Sequence, residues 1–279
     1  YPNGRNIFVD ASQDLRHFIF KTTEPSDPGE YILFDGPDNK VTRLGALNPK
    51  LAQNSSRVER LEYKSSGRTL TAYLTLPPGA GEQPLPLIVY PHAYPEAVGG
   101  VGYRPDVQLF ASRGFAVLQA NVRGTPGFGR TLWEAGHGQF GTGVVDDLAA
   151  GVTALARSGR VDPRRVCAIG RSFGAHSALL LGLRENMLRC IALERPIFNL
   201  REGIQLQWSS DDSAAVAELI TLRFGDERTA AAQSPLAHTD KLQVPVLNLH
   251  TGLPDANQKR FSELMNNNPA FIEATDVRG

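Results

Sequence analysis

Charge of one sign is what this chain lacks: 29 basic and 29 acidic residues cancel over 279 positions. Without a basic excess there is no electrostatic footprint for a polyanion, which argues against nucleic acid or an anionic membrane surface as partner. Long hydrophobic runs are absent as well. The longest span only a few residues, as at Ala178 to Leu183, against the roughly 20 needed to cross a bilayer. No signal peptide is visible. Cysteine is scarce, with only Cys167 and Cys190, too few for a disulfide framework. Both lie in apolar, strand-like segments that suit neighbouring strands of a sheet, and they read as buried free thiols. Scarce cysteine and no visible leader point to a cytoplasmic location. The first residue is Tyr1 rather than Met, so the sequence is expected to be part of a longer chain.

What is present is enough apolar material, 41% of residues, for one large α/β domain or one domain with a smaller appendage. The most informative stretch is Val166-Cys167-Ala168-Ile169-Gly170-Arg171-Ser172-Phe173-Gly174-Ala175, followed by the apolar run to Leu181. It reads as a buried strand, a glycine-rich turn and a helix, with Gly-x-Ser-x-Gly at the turn. With 27 glycines in the chain the bare pattern arises by chance roughly once in seven such sequences. The strand before it and the helix after it are what a nucleophile elbow requires and chance does not supply. There Ser172 stands at a helix N-terminus, with the Phe173 N–H free to bind an oxyanion. The bland alternative is a strand-to-helix turn with an incidental serine.

Ahead of the elbow the texture changes twice. Residues 1 to about 50 carry short strand candidates at Arg16–Phe20, Glu30–Phe34 and Lys40–Leu44, separated by turn sequences at Glu24–Gly29 and Asp35–Asn39. Such a meander suits one propeller blade or a small sheet. Residues 57 to 76 predict two strands joined through Ser65-Ser66-Gly67. From Leu85 onward strand and helix alternate, which implies a mostly parallel sheet with helices on both faces. Strands are predicted at Leu85–Tyr90, Phe115–Ala120, Val166–Ile169, Arg189–Leu193, Gln243–His250 and Ala270–Thr275, and helices at Asp106–Arg113, Ser213–Leu222 and Asn257–Met265. Val145, Leu148, Val152 and Leu155 form one apolar helical stripe closed by Gly159. Asp146 and Asp147 at its start suit the helix dipole.

Sites in such sheets form beyond the carboxyl ends of the strands. The loop after Tyr90, Pro91-His92-Ala93-Tyr94-Pro95, is where a second oxyanion donor belongs. His92 is either a further donor there or a structural hydrogen-bonding histidine. Asp255, after the strand ending at His250, stands where the acid of an elbow hydrolase is expected; it also fits a helix N-cap.

Several segments in order resemble the prolyl oligopeptidase family of serine peptidases, in its acylaminoacyl-peptidase and dipeptidyl-peptidase-like branch. They are Asn121-Val122-Arg123-Gly124-Thr125-Pro126-Gly127-Phe128-Gly129, Val161-Asp162-Pro163 leading into the elbow, and Ser234-Pro235-Leu236 preceding Val244-Pro245-Val246-Leu247. The resemblance implies an α/β-hydrolase fold over residues 51–279, preceded over 1–50 by a β meander resembling a propeller-blade remnant. It implies a serine hydrolase that cleaves peptide, acyl-amino acid or ester bonds through an acyl-enzyme on Ser172. Asp255 is then the triad acid, the amides of Phe173 and of Ala93 or Tyr94 form the oxyanion hole, and Arg123 is structural beside the site. No cofactor and no metal is implied; the partner is a peptide or small acyl substrate, and self-association is left open.

The sequence departs from the family pattern in three places. His92-Ala93-Tyr94-Pro95 stands for His-Gly-Gly-Pro, the loop from His250 to Asp255 is one residue longer than the usual His-Gly-x-x-Asp, and no histidine follows Asp255. None of the six, His17, His92, His137, His176, His238 and His250, occupies the family's position. Truncation before the catalytic histidine is the expectation. The alternatives are a non-catalytic α/β-hydrolase-fold binding protein and a carboxylesterase.

Overall fold

The computed structural model describes residues 4–100, 102–200, 214–251 and 255–276. They fall into two compact units, one of Tyr1–Arg60, Tyr73–Gly81 and Gly100–Val117, the other of Leu61–Ala72, Glu82–Gly99 and Leu118–Gly279.

The first unit holds a four-stranded antiparallel meander, β1 (Arg5–Ala11), β2 (His17–Glu24), β3 (Asp27–Asp35) and β4 (Lys40–Ala46), paired in chain order. Three of these strands are legible in the sequence; β1 is not. Its side chains are nearly all exposed, so it shows no inside–outside alternation. Pairing with β2 creates it, Phe8 lying opposite Phe20 with ring centroids 6.1 Å apart. The turn expected at 24–29 shrinks to Pro25-Ser26 because Gly29 continues β3 at φ +92°. A Cβ at Gly29 would fall 1.8 Å from the Thr22 carbonyl oxygen. A short helix α1 (Pro49–Ala52) follows, capped by the Asn48 side chain.

The remaining strands form one eight-stranded sheet: β5 (Val58–Ser65), β6 (Arg68–Thr75), β7 (Leu85–Val89), β8 (Ala116–Asn121), β9 (Val161–Arg171), β10 (Cys190–Glu194), β11 (Val246–Thr251) and β12 (Phe271–Asp276). Their order is β12-β11-β10-β9-β7-β8-β6-β5. β7 to β9, β9 to β10, β10 to β11 and β11 to β12 are parallel. Ser66 and Gly67 both adopt positive φ, 46° and 78°, the signature of a two-residue hairpin turn matched to strand twist.

Among the described residues the further α-helices are α2 (Pro105–Ser112), α3 (Arg130–Glu134), α4 (Gly143–Arg157), α5 (Phe173–Arg184), α6 (Ala214–Phe224), α7 (Glu227–Ala232) and α8 (Ala256–Met265). The longer ones lie where the apolar pattern predicts them. α3 and α7, of 5 and 6 residues, are too short to show a helical period.

Burial explains the alternation of elements. Leu87, Ile88 and Val89 are almost wholly buried, as continuous apolar strands of a covered sheet should be. The α4 stripe of Val145, Leu148, Val152 and Leu155 is buried throughout, each side chain contributing about 1.5–3 kcal/mol. Gly151 lets α4 approach closely: a Cβ there would meet Leu118 and Tyr63 side-chain atoms at 3.2 Å.

Two expectations fail here. Cys167 and Cys190 are joined in a disulfide rather than free. They are directly paired residues of the parallel strands β9 and β10, with Cα atoms 4.8 Å apart, inside the range a disulfide can bridge; two cysteines suffice for one staple even where they cannot make a framework. Asp147 is the second correction. Only Asp146 faces outward, pairing with Arg184 at 2.7 Å. Asp147 lies on the buried side of α4, wholly enclosed.

Candidate active site

Strand order places the site. β7 is followed by β8 on one side, whereas β9 lies on the other side of β7 and β10 to β12 continue away from it. The carboxyl ends of β7 and β9 therefore flank a topological switch point, where loops diverge and leave a crevice. The loop leaving β7 is residues 90–99, and the turn leaving β9 is Ser172.

The turn is strained in the way an elbow must be. Ser172 adopts φ 54°, ψ −120° as the N-cap of α5, a region that costs a non-glycine residue on the order of 1–3 kcal/mol. Its backbone N–H donates to the Glu194 carbonyl at the end of β10, which fixes the turn from the neighbouring strand. The flanking glycines are required by contact. A Cβ at Gly170 would lie 2.2 Å from the Gly174 oxygen, and one at Gly174 would lie 2.6 Å from the Pro91 oxygen and 2.9 Å from the His92 oxygen. Gly174 thus seats the loop after β7 directly against the first turn of α5. Phe173, the first helical residue, is buried, with its ring 5.5 Å from that of Phe140. A narrow, mainly apolar cleft lies beside it, lined by Pro91, Tyr94, Val122, Phe140 and Phe173 among others.

Asn121, at the end of β8 and fully buried, organises the loop. Its Oδ1 accepts the Gly99 N–H at 2.7 Å and lies 3.1 Å from His92 Nε2. Since that oxygen is the acceptor, His92 carries its proton on Nε2 and donates it to Asn121. Gly99 leaves room for the imidazole, since a Cβ there would fall 2.8 Å from His92 Cε1. Tyr94, at the tip of the loop, is exposed and Ala93 half-buried.

Arg123 spends its guanidinium inward. Nε and Nη2 donate to the two oxygens of Asp147 at 2.9 and 2.7 Å, and its backbone N–H adds a third bond at 2.9 Å. This hydrogen-bonded carboxylate, outweighing burial, raises the arginine pKa. Ser65 Oγ donates to the same carboxylate at 2.5 Å, and Tyr63 Oη to the Asp147 carbonyl at 2.9 Å. Gly143 leaves room for the guanidinium, which a Cβ would approach to 2.3 Å.

Asp255 is exposed and caps α8 in a capping box: Oδ1 accepts the Gln258 N–H at 2.8 Å, and Gln258 Oε1 accepts the Asp255 N–H at 3.1 Å. The residues just before it, 252–254, lie outside the described ones. Of the histidines, His176 is fully buried on α5 and its Nδ1–H donates to the Ile197 carbonyl at 2.9 Å. Burial, only partly offset by that bond, pushes its pKa down to about 4, so the ring is neutral. His250 is buried and its Nε2 bonds Glu273, which also accepts from Ser262 at 2.5 Å. Burial raises the Glu273 pKa, but the Ser262 and His250 bonds outweigh it and hold the carboxyl low. The structure thus brings Ser172, Phe173 and the 91–99 loop together and gives Arg123, His92 and Asp255 structural contacts. Asn121 and Asp147 are organisers whose roles sequence reading misses: Asn121 appears there only as the first residue of the family-like segment and Asp147 only as a charge for the helix dipole.

Strand order and the strained strand-to-helix turn define an α/β-hydrolase fold. Solved structures agree: a Pyrococcus horikoshii acylaminoacyl peptidase superposes with a TM-score of 0.81 at 18% identity, covering 99% of this chain and 46% of that one. A Mycobacterium tuberculosis puromycin-hydrolyzing peptidase gives 0.79 at 23%, covering 94% and 42%. In sequence, dipeptidyl aminopeptidase BIII of Pseudoxanthomonas mexicana is 30% identical over 84% of this chain and 36% of its own length. The model of the prolyl oligopeptidase family matches residues 102–259. The chain belongs to the prolyl oligopeptidase family. It spans little more than a third of the curated relatives it matches.

Proposed function

We propose that this chain carries the catalytic region of a serine peptidase, cleaving peptide or acyl-amino acid bonds through an acyl-enzyme on Ser172. The observation that carries the reading is the Ser172 turn: a strained, positive-φ serine at a helix N-terminus, with the loop after β7 seated on Gly174. Strain of that kind persists only where its surroundings over-determine it, and it presents a side chain out of the turn. The N–H of Phe173 and one from Ala93 or Tyr94 supply the oxyanion donors, each such donor being worth roughly 10²–10³ in rate. Asp255 is the acid in this assignment. Its cap uses Oδ1, leaving the second oxygen for an imidazole, which orients the base and stabilises its charged form. No histidine follows Asp255 in the sequence, so the base is the open member of the assignment.

The test is the intact mass of the 279-residue chain before and after a fluorophosphonate probe, beside Ser172→Ala. One adduct on the parent and none on the variant supports an activated Ser172. No adduct on either shows that these 279 residues alone do not activate Ser172 and favours the second reading, a hydrolase-fold protein that binds without cleaving.

A further inference from the structure

Arg223, the penultimate residue of α6, is 1% exposed. A cation so enclosed needs partners to offset its lost hydration. Its guanidinium carbon stands 4.6 Å from the ring centroid of Trp133 and 5.2 Å from that of Phe140, the geometry of a cation held over aromatic faces. Nη2 donates to Glu96 at 3.1 Å and more distantly to the Gly124 carbonyl at 3.4 Å. Among the described residues Nη1 has no partner. Every one of these contacts comes from a segment beyond a strand's carboxyl end: Glu96 from the loop after β7, Gly124 from the loop after β8, and the two rings from the connection to α4. Phe140 in turn packs on Phe173.

The loop after β7 is held unevenly. Its start is seated on Gly174, and His92 and Gly99 are tied to Asn121. The tip, Ala93 to Glu96, carries the exposed Tyr94; the Ala97 N–H closes a turn on the Tyr94 carbonyl at 3.1 Å and Pro95 is buried, and the ion pair from Glu96 ties this turn to Arg223. We infer that Arg223 is a positioning residue: through Glu96 it fixes the tip of this loop, and with it the Ala93 and Tyr94 N–H groups, against the Ser172 turn. The physical ground is asymmetry. The Glu96 side chain is 43% exposed and by itself would exchange with water at little cost, but its partner is locked in the interior by the aromatic rings. A charge-assisted bond to an immobile donor fixes direction as well as distance, and the planar guanidinium that stacks on the rings is not reproduced by lysine.

The inference rests on the assignment of the loop amides as oxyanion donors, and its test separates the two. Parent, Glu96→Ala, Arg223→Met and the double variant, which removes both charges and so leaves none buried unpaired, are compared by hydrogen exchange and by fluorophosphonate labelling rate. Amide exchange in the peptide spanning 92–97 is expected to rise at least tenfold in all three variants, while peptides of the β1–β4 sheet keep parent rates. Labelling is expected to slow about tenfold to a hundredfold, the scale set by misplacing a group by about 1 Å, with the double variant no slower than either single one. Unchanged exchange in Glu96→Ala overturns the inference whatever the labelling shows. Raised exchange with parent labelling rates also overturns it, because the loop tip then moves without consequence for the oxyanion side. A parent that does not label shows that this chain alone does not activate Ser172, and the exchange result then decides the role of Arg223 by itself.

Discussion

Asp146 and Asp147 are neighbours in the first turns of one helix, and replacing each by asparagine should give different results. Asp147 is fully buried and accepts four hydrogen bonds on two oxygens: three from Arg123 and one from Ser65. Asparagine offers one oxygen and one NH₂, so two of those four donors would face another donor, and the enclosed guanidinium loses its counter-charge. Removing one partner of a buried ion pair costs about 3–5 kcal/mol; with the shape preserved we expect about 3 for Asp147→Asn. Asp146 is 43% exposed and paired with a half-exposed Arg184, so Asp146→Asn should cost less than about 1 kcal/mol. Urea unfolding followed by circular dichroism reads both. With a slope near 3 kcal/mol per molar, Asp147→Asn lowers the midpoint by about 1 M, against about 0.3 M or less for Asp146→Asn. Equal midpoint shifts for the two variants would refute the claim that Arg123 is anchored by a buried carboxylate.

Gly174→Ala places a Cβ on two backbone oxygens of the loop after β7; a stability loss of about 1–3 kcal/mol is expected, together with slower fluorophosphonate labelling, and a variant of parent stability would show that the loop does not rest there. Reducing the Cys167–Cys190 disulfide, which spans a sequence separation of 23, should cost about 3 kcal/mol by chain entropy, read as a midpoint shift with a phosphine reductant; two titratable thiols in the unreduced protein would contradict the bond. His176, whose pKa burial lowers to about 4 from 6.5, binds a proton more readily unfolded than folded, so its stability contribution is present above the unfolded value and is lost as pH falls from 6.5 toward 4. Between pH 7 and 5 this amounts to about 2 kcal/mol, and His176→Gln should remove that part of the pH dependence; an identical profile in the variant would place the proton uptake elsewhere.

By itself the sequence determined the elements whose signal is local. β7 is a continuous apolar run, α4 declares its face by spacing, and the elbow is written in Gly170, Ser172 and Gly174, because a strained turn leaves few residue choices. The hairpin at Ser66-Gly67 is legible for the same reason. Tertiary structure alone decided what depends on partners distant in the chain. β1 exists only against β2, and the disulfide only because β9 and β10 are paired in a register that sets Cys167 opposite Cys190. Asp146 and Asp147 look alike until the helix docks; then one faces water and the other an arginine 24 residues earlier. His92 and Asp255 each read two ways in the sequence; the fold adds to the first a bond to Asn121 at 3.1 Å and to the second the cap of α8. Arg223 left no trace at all, since an arginine in an amphipathic helix is ordinarily solvated, and only the packing of Trp133, Phe140 and Glu96 around it makes it an interior group.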